Sequence, residues 1–323
     1  MQKFVIDKDS GNRRIDKILR EKYPNLPQSF MYKAFRKKDI KVNGIRVKEN
    51  YIANPGDIVE VYIIDEILYG NGSSQPFDHT KAFTVVYEDK NILIVNKMQG
   101  IPVHPDKDSP ENTLIDLVTD YIHSNAVSSD SKNFSPALCH RLDRNTGGLV
   151  IIAKNNEALK IMLEKIKKKE IKKYYQCIVR GMPEKPYATL KAYLEKDERK
   201  SRVYINNYKT KNSLEIITKY KVLSVIENLT DNEKGSLLEV ELITGRTHQI
   251  RAHLAYIGHP IVGDSKYGDN NLNRALKLKY QALWAYKLKF EFSTKSGLLS
   301  YLNGKEFEIE PDFGSIFQTD KKS

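Results

Sequence analysis

The chain has 323 residues, with 53 Lys plus Arg against 41 Asp plus Glu and a formal net charge of +12. That length suffices for two domains and a sizeable core, and the basic excess favours an anionic partner, nucleic acid first. Two distant cysteines, Cys139 and Cys177, make no disulfide framework or CxxC pair, residues 1–10 carry no apolar leader, and no apolar run approaches a membrane span, so a cytoplasmic protein off the membrane is expected.

Residues 1–65 read as a small α/β module. Ile15, Ile18, Leu19 and Tyr23 recur at helical spacing, and Pro24 and Pro27 end that helix. Ser29 is the expected N-cap of a second helix, on which Lys33, Arg36 and Lys37 form one basic stripe. Asn43-Gly44 between the alternating runs of residues 40–42 and 45–47 predicts a hairpin, with Lys41 and Arg46 off the apolar face. After a Gly56-Asp57 turn, Val59, Val61 and Ile63 alternate as a strand. A basic helix and hairpin suit a shaped RNA backbone. A solvated lysine face is the plainer alternative.

Residues 66–82 have linker composition, centred on Gly70-Asn71-Gly72-Ser73-Ser74. A second domain, 83–315, follows. Residues 83–87 and 92–95 predict paired strands, residues 149–153 a strand buried on both faces, and residues 156–169 a helix with a basic end. Before the third of these strands, Asp143 stands between Arg141 and Arg144 and ahead of the turn at Gly147-Gly148. An acid that works ionised in a pocket needs such neighbours, although a structural ion pair fits the same pattern. Leu238, Val240 and Leu242 alternate with Glu239 and Glu241 as a half-exposed strand. A Thr244-Gly245 turn then leads to a helix with Thr247 as expected cap and Ile250, Leu254 and Ile257 as apolar face, closed by Gly258 and Pro260. Arg246 is expected to point from this junction into a cleft. For most of His248, Gln249, Arg251 and His253 the expectation is hydrogen bonding that holds the helix. Strands and helices mix without a βαβ period, which predicts an α+β fold with a largely antiparallel sheet and flanking helices and loops. No metal site is expected: the histidines scatter, and His248 and His253 are off a common helical face. No Walker loop or GxGxxG occurs.

Two resemblances cover most of the chain. Residues 14–19, 41–44 and 55–57 make the module of residues 10–63 resemble the alpha-L RNA-binding domain of a small-subunit ribosomal protein and many RNA-modifying enzymes. Four ordered motifs make the second domain resemble the RluA/RluD pseudouridine synthases: Asn96-Lys97 leading to Val103-His104-Pro105; His140-Arg141-Leu142-Asp143-Arg144; Lys172-Lys173-Tyr174-Tyr175 leading to Gly181; and Thr244-Gly245-Arg246-Thr247-His248-Gln249-Ile250-Arg251 with residues 258–264. The resemblance implies isomerisation of a flipped-out uridine: the N1–C1′ bond breaks, uracil turns over, and C5 joins C1′. It implies Asp143 as catalytic acid residue, nucleophile or base, with Arg246 ion-paired to it and Tyr175 against the uracil. Tyr174 competes for that last role. Arg141 is implied to take the extruded nucleotide's place, Ile250 to floor the pocket, and Lys97 and His140 to bind substrate. Lys33, Arg36, Lys37, Lys41 and Arg46 are the implied RNA contacts of the module. The implied protein is a cofactor-free monomer acting on 23S-type large-subunit ribosomal RNA; alternatives are transfer RNA as target and a non-catalytic ribosome-assembly factor. Three positions depart from the usual pattern: Met98 stands where Pro is common, Gly147 where Ser is, and Trp284 where His is.

Overall fold

A computed structural model describes residues 1–8, 10–24, 26, 28–69, 79–104, 113–124, 134–230 and 233–314. The chain divides into two compact units, residues 1–80 with 104–132, and residues 81–103 with 133–323. Most of the expected linker, residues 70–78, lies outside the described residues.

In the first unit, strands β1 (Gln2–Val5), β3 (Ile40–Val42), β4 (Ile45–Arg46) and β6 (Ile58–Val61) form an antiparallel sheet in the order β1-β6-β3-β4. Strands β2 (Arg13–Arg14) and β5 (Ile52–Ala53) pair separately. The β3–β4 turn is the Asn43-Gly44 hairpin, with φ of 52° and 75°, the left-handed pair such a tight connection requires. Helices α1 (Ile15–Lys22), α2 (Gln28–Lys37) and α3 (Asp65–Leu68) complete the 1–80 segment, and Ile15, Leu19, Met31, Ile40, Val59 and Val61 build its core. Ser29 is not a cap: α2 already begins at Gln28, so Ser29 is spent inside the first turn. Helix α4 (Leu114–Ser124) belongs to this unit rather than to the second domain in which the sequence placed it. Its Asp116 accepts a hydrogen bond from Arg36 at 3.2 Å. Arg36 therefore shares its charge with an internal carboxylate while its side chain stays partly exposed.

The second unit is an α+β arrangement around one long sheet. Its strands are β7 (Phe83–Glu88), β8 (Ile92–Lys97), β9 (Ala137–Leu138), β10 (Gly147–Ala153), β11 (Ile171–Arg180), β12 (Tyr187–Asp197), β13 (Arg202–Asn206), β14 (Leu214–Thr230), β15 (Glu233–Leu242), β16 (Leu283–Phe290) and β17 (Glu306–Glu308). The order β13-β12-β14-β15-β11-β16-β10-β8-β7 is antiparallel at each described step except β10–β16, which is parallel. The Asp89 carboxylate accepts the Asn91 and Ile92 N–H groups and so closes the β7–β8 turn. Helix α5 (Asn156–Lys167) is capped by the Asn155 side chain, which accepts from Ala158 N–H, and packs Ala158 and Met162 with Leu149, Ile151 and Phe290. Helix α6 (Gln249–Tyr256) packs Ala252 against Leu194, Val203 and Ile216 of the β12–β14 sheet. The short α7 (Asn270–Ala275) contributes Leu272 to a cluster with Val262 and Trp284.

The departures at Gly147 and Trp284 are one feature. The two residues are register partners across β10 and β16, and a Cβ at Gly147 would lie 2.6 Å from the Trp284 ring. The large indole occupies the space that a side chain at position 147 would need.

Candidate active site

A cavity of about 300 Å³ in the second unit opens where the β10 approach, β11 and the start of α6 converge. Asp143 sits in its wall on the loop before β10. The Asp143 carbonyl accepts Thr146 N–H at 3.1 Å, which makes that loop a tight turn. Lys97 secures the loop from beneath. It is fully buried at the end of β8, and its Nζ donates to the carbonyls of Met98, Ile101 and Arg144 at 2.9, 2.9 and 3.0 Å. Burial pulls this amine down to about 7, opposed by Asp143. Three carbonyl acceptors are what a three-donor ammonium needs, so the geometry favours the charged form. A side chain enclosed this way cannot reach a substrate. Lys97 positions the Asp143 loop, which corrects its reading as a substrate-binding residue.

The carboxylate's partner is Arg251. Its Nη1 donates to Asp143 Oδ2 at 2.8 Å, while Nε and Nη2 grip both oxygens of Asp264 at 2.7 and 2.9 Å. Asp264 is fully buried and also accepts the N–H groups of Lys266 and Tyr267. Burial raises the Asp264 carboxyl, but its bonds to Arg251 outweigh that and hold it below the usual range. The guanidinium is thus fixed on one side and presents its remaining edge to Asp143. Arg246, expected in this role, is exposed at the cavity rim, and its described hydrogen bonds are those of its backbone, whose N–H donates to Gln249 Oε1 and whose carbonyl accepts Gln249 N–H, each at 3.1 Å. The reason for the correction is position: Arg246 precedes the helix, whereas Arg251 is carried into the interior on a helix buried from Gln249 to Leu254.

Thr247 does not cap that helix. The N-cap is His248, in the left-handed region at φ 54°. Gln249 instead ties the turn together: its Oε1 accepts from Thr244 and Arg246, and its Nε2 donates to Ile217 O and Thr218 Oγ1. His253 lies 3.0 Å from Thr218 Oγ1. These two fulfil the expectation that polar side chains hold the helix. His248 does more: Nδ1 lies 3.0 Å from the Tyr267 hydroxyl, and Nε2 lies 3.9 Å from Asp143 Oδ2. The same Tyr267 oxygen accepts Val203 N–H at 2.8 Å, which fixes the ring that His248 leans on. Burial lowers His248 to about 4, opposed by Asp143.

Tyr175 is buried and lines the cavity, and burial, reinforced by Asp143, raises its hydroxyl. The competitor Tyr174 lies instead beside Lys287, 5.9 Å from its ring centre; a β11–β16 register shift falls between the two tyrosines. Ile250 lines the cavity and is buried; Arg141 lines it and is exposed. His140 also lines it, but its Nε2 accepts Ile151 N–H at 3.2 Å. Burial, with Lys173 adding to it, pushes this imidazole down to about 3, so it is neutral. The arrangement presents one carboxylate, fixed by a guanidinium, beside an aromatic ring and an apolar floor. It suits a flat apolar-faced ring carried by an electrophilic carbon.

The family model for RNA pseudouridylate synthase matches residues 91–256, which include every cavity residue named so far. A ribosomal large subunit pseudouridine synthase C from Vibrio cholerae serotype O1 is 31% identical over 282 residues, 84% of this chain and 82% of that protein. An uncharacterized RNA pseudouridine synthase of Aquifex aeolicus is 30% identical over 320 residues, 96% and 94% of the two chains. The chain belongs to the RNA pseudouridylate synthase family. In fold, the synthase is similar to human RNA pseudouridylate synthase domain containing 1, at TM-score 0.57 and 23% identity over 72% of this chain and 85% of that one.

Among the residues implied by sequence, the structure brings Asp143, Tyr175, Ile250, His140, Arg141 and Arg246 to one cavity and leaves Lys97 behind it. Sequence reasoning missed Arg251 as the carboxylate's partner, Asp264 as its anchor and Lys173 as a lining residue. The signal for the first two was present: an Arg inside an apolar helical run, followed by an isolated Asp after Gly263.

Proposed function

We propose that the synthase converts a uridine of large-subunit ribosomal RNA to pseudouridine, with Asp143 as the catalytic carboxylate and Arg251 as the group that holds it. The observation that carries this reading is the Arg251 fork between buried Asp264 and cavity-lining Asp143. Tyr175 and Ile250 would sandwich the uracil, and Arg141 and Arg246 at the rim would meet the displaced strand. The ribosomal target is supported by the names of relatives from several Vibrio species and from Haemophilus ducreyi. Residues 1–65 would add affinity through Lys33, Lys37, Lys41 and Arg46. Lys41 and Arg46 are direct cross-strand partners on the β3–β4 hairpin; the Lys33 side chain lies outside the described residues. The protein would act in the cytoplasm as a monomer, without a cofactor. Mapping pseudouridine site by site in cells lacking the protein tests this. Ribosomal sites should vanish, return with the parent chain and stay absent with Asp143→Asn. Loss confined to transfer RNA would replace the target, and rescue by Asp143→Asn would remove the mechanism.

A further inference from the structure

Lys173 is a cation inside the cavity that the roles above leave unused. It follows the same strand as Tyr175, and both line the cavity. Its Nζ stands 3.9 Å from where a Cβ of Gly245 would be, which places the amine beside the Thr244-Gly245 turn, whose glycine also lines the cavity. Among the described residues no carboxylate lies within ion-pairing distance, and burial is the single cause that lowers the amine. The nearby His140 is neutral and offers no counter-charge. Among the described residues, Asp143 is the one carboxylate in the cavity lining, and Arg251 holds it. Lys173 is half-buried, and a partly desolvated ammonium without an anion is an arrangement that a bound anion stabilises.

The reaction generates such an anion. When N1–C1′ breaks, the bonding pair leaves with N1 and spreads to O2 and O4. The electron-deficient sugar either gains a bond from C1′ to an Asp143 oxygen or gives its H2′ to Asp143. On both routes detached uracil carries one negative charge. It loses that charge when C5 bonds to C1′, as the C1′–O bond to Asp143 breaks and the pair returns to the carboxylate, or as Asp143 returns its proton to C2′; the C5 proton then departs and N1 regains a proton. We propose that Lys173 is a further catalytic residue of the synthase, its ammonium contacting a uracil carbonyl oxygen and stabilising the uracil anion between bond cleavage and reattachment. Tyr175 sits two residues along the same strand, roughly 7 Å away by strand rise. A uracil against Tyr175 would therefore direct an oxygen-bearing edge toward Nζ. The inference rests on the Asp143 reading above and extends it.

The test is single-turnover cleavage by the full-length protein on a ribosomal RNA fragment holding the mapped target as uridine or as 5-fluorouridine. Fluorine itself stabilises the departing anion. Lys173→Met should slow cleavage of uridine by about 10²-fold with unchanged RNA affinity, as for removal of one charge-stabilising donor. The loss should shrink on 5-fluorouridine, and Lys173→Arg should recover part of the rate, with melting temperatures showing that both variants fold. Equal losses on the two substrates, a loss appearing as weaker RNA binding, or a new isotope effect with 5-deuterouridine would each overturn the assignment; the last would move Lys173 to proton removal. Asp143→Asn separates the failures. If it is inactive while Lys173→Met matches the parent, only the Lys173 assignment fails; if Asp143→Asn turns over normally, the reading beneath it fails.

Discussion

Arg251 serves two carboxylates with different edges of one plane, and that geometry has a direct consequence. Arg251→Lys keeps the positive charge and three donors, but places them on one tetrahedral nitrogen, which does not span the separated positions that the planar fork reaches on Asp264 and Asp143. Single-turnover rates should fall about 10²-fold while RNA affinity stays within twofold, since the lost bond orients the reacting group rather than the strand. An unchanged rate would show that charge alone suffices. Arg246→Lys, at the exposed rim, should leave the rate nearly intact. Asp143 was legible in sequence because its surroundings are local: two arginines and a glycine turn within six positions. Its partner was not, because Arg246 and Arg251 lie on one motif, and the choice depends on which one meets Asp264 across a fold the pattern does not encode. Lys97 misled for a related reason. A charged residue in a motif suggests contact with substrate, yet its three acceptors are backbone carbonyls, which carry no sequence signature.

At the scale of elements, α6 is buried all round its first turns, so its polar side chains must be satisfied internally and its histidines must stay neutral. Burial holds His248 and His253 near 4 and the β10-facing His140 near 3, against 6.5 when unfolded. Below pH 6.5 the unfolded chain therefore binds protons that the folded chain refuses. The stability these groups contribute is full above that value and is lost as pH falls toward 4. For buried His253 the effect is on the order of 3 kcal/mol. Melting temperature should decline from pH 7 to 4, less steeply in His253→Asn; equal slopes would deny the histidine its part. A second element-scale test concerns β10 and β16. Gly147→Ser should cost about 1–3 kcal/mol by overpacking against Trp284, while Trp284→His should open a void. The double variant should be less destabilised than the sum, with a coupling of about 1–3 kcal/mol by chemical denaturation. Additivity would mean the two departures arose independently. The hairpins and alternating strands of both units were legible from periodicity and turn residues. The β10–β16 partnership was not: residues 147 and 284 are far apart, and nothing local to either specifies a parallel neighbour.

At the scale of the whole molecule, composition indicated an anionic partner, but not where the charge acts, because many of the basic side chains are already committed. Arg36 is paired with Asp116, Lys165 is buried against Glu170, Lys172 and Lys289 share Glu291, and Arg180 lies between Glu233 and Asp269. The expected stripe on α2 is thus weakened at its centre, and the case for an RNA contact moves to the β3–β4 hairpin. There Lys41 and Arg46 face each other across the ladder, Arg46 is exposed, and Lys41 lies 4.6 Å over the Tyr62 ring. If these two side chains neutralise phosphates, replacing both by Ala removes about two released counterions. The slope of log Kd against log salt should then flatten by about 1.4–1.8. Affinity would fall most at low salt and converge with that of the parent as salt rises. Single-turnover rates at saturating protein should be unaffected, because neither residue is in the unit that holds the cavity. Binding curves at several salt concentrations with one ribosomal RNA fragment measure this. A parallel shift, weaker at every salt concentration with the slope intact, would mean that the hairpin acts through shape or folding, and that the module's electrostatic contact with RNA lies on another face.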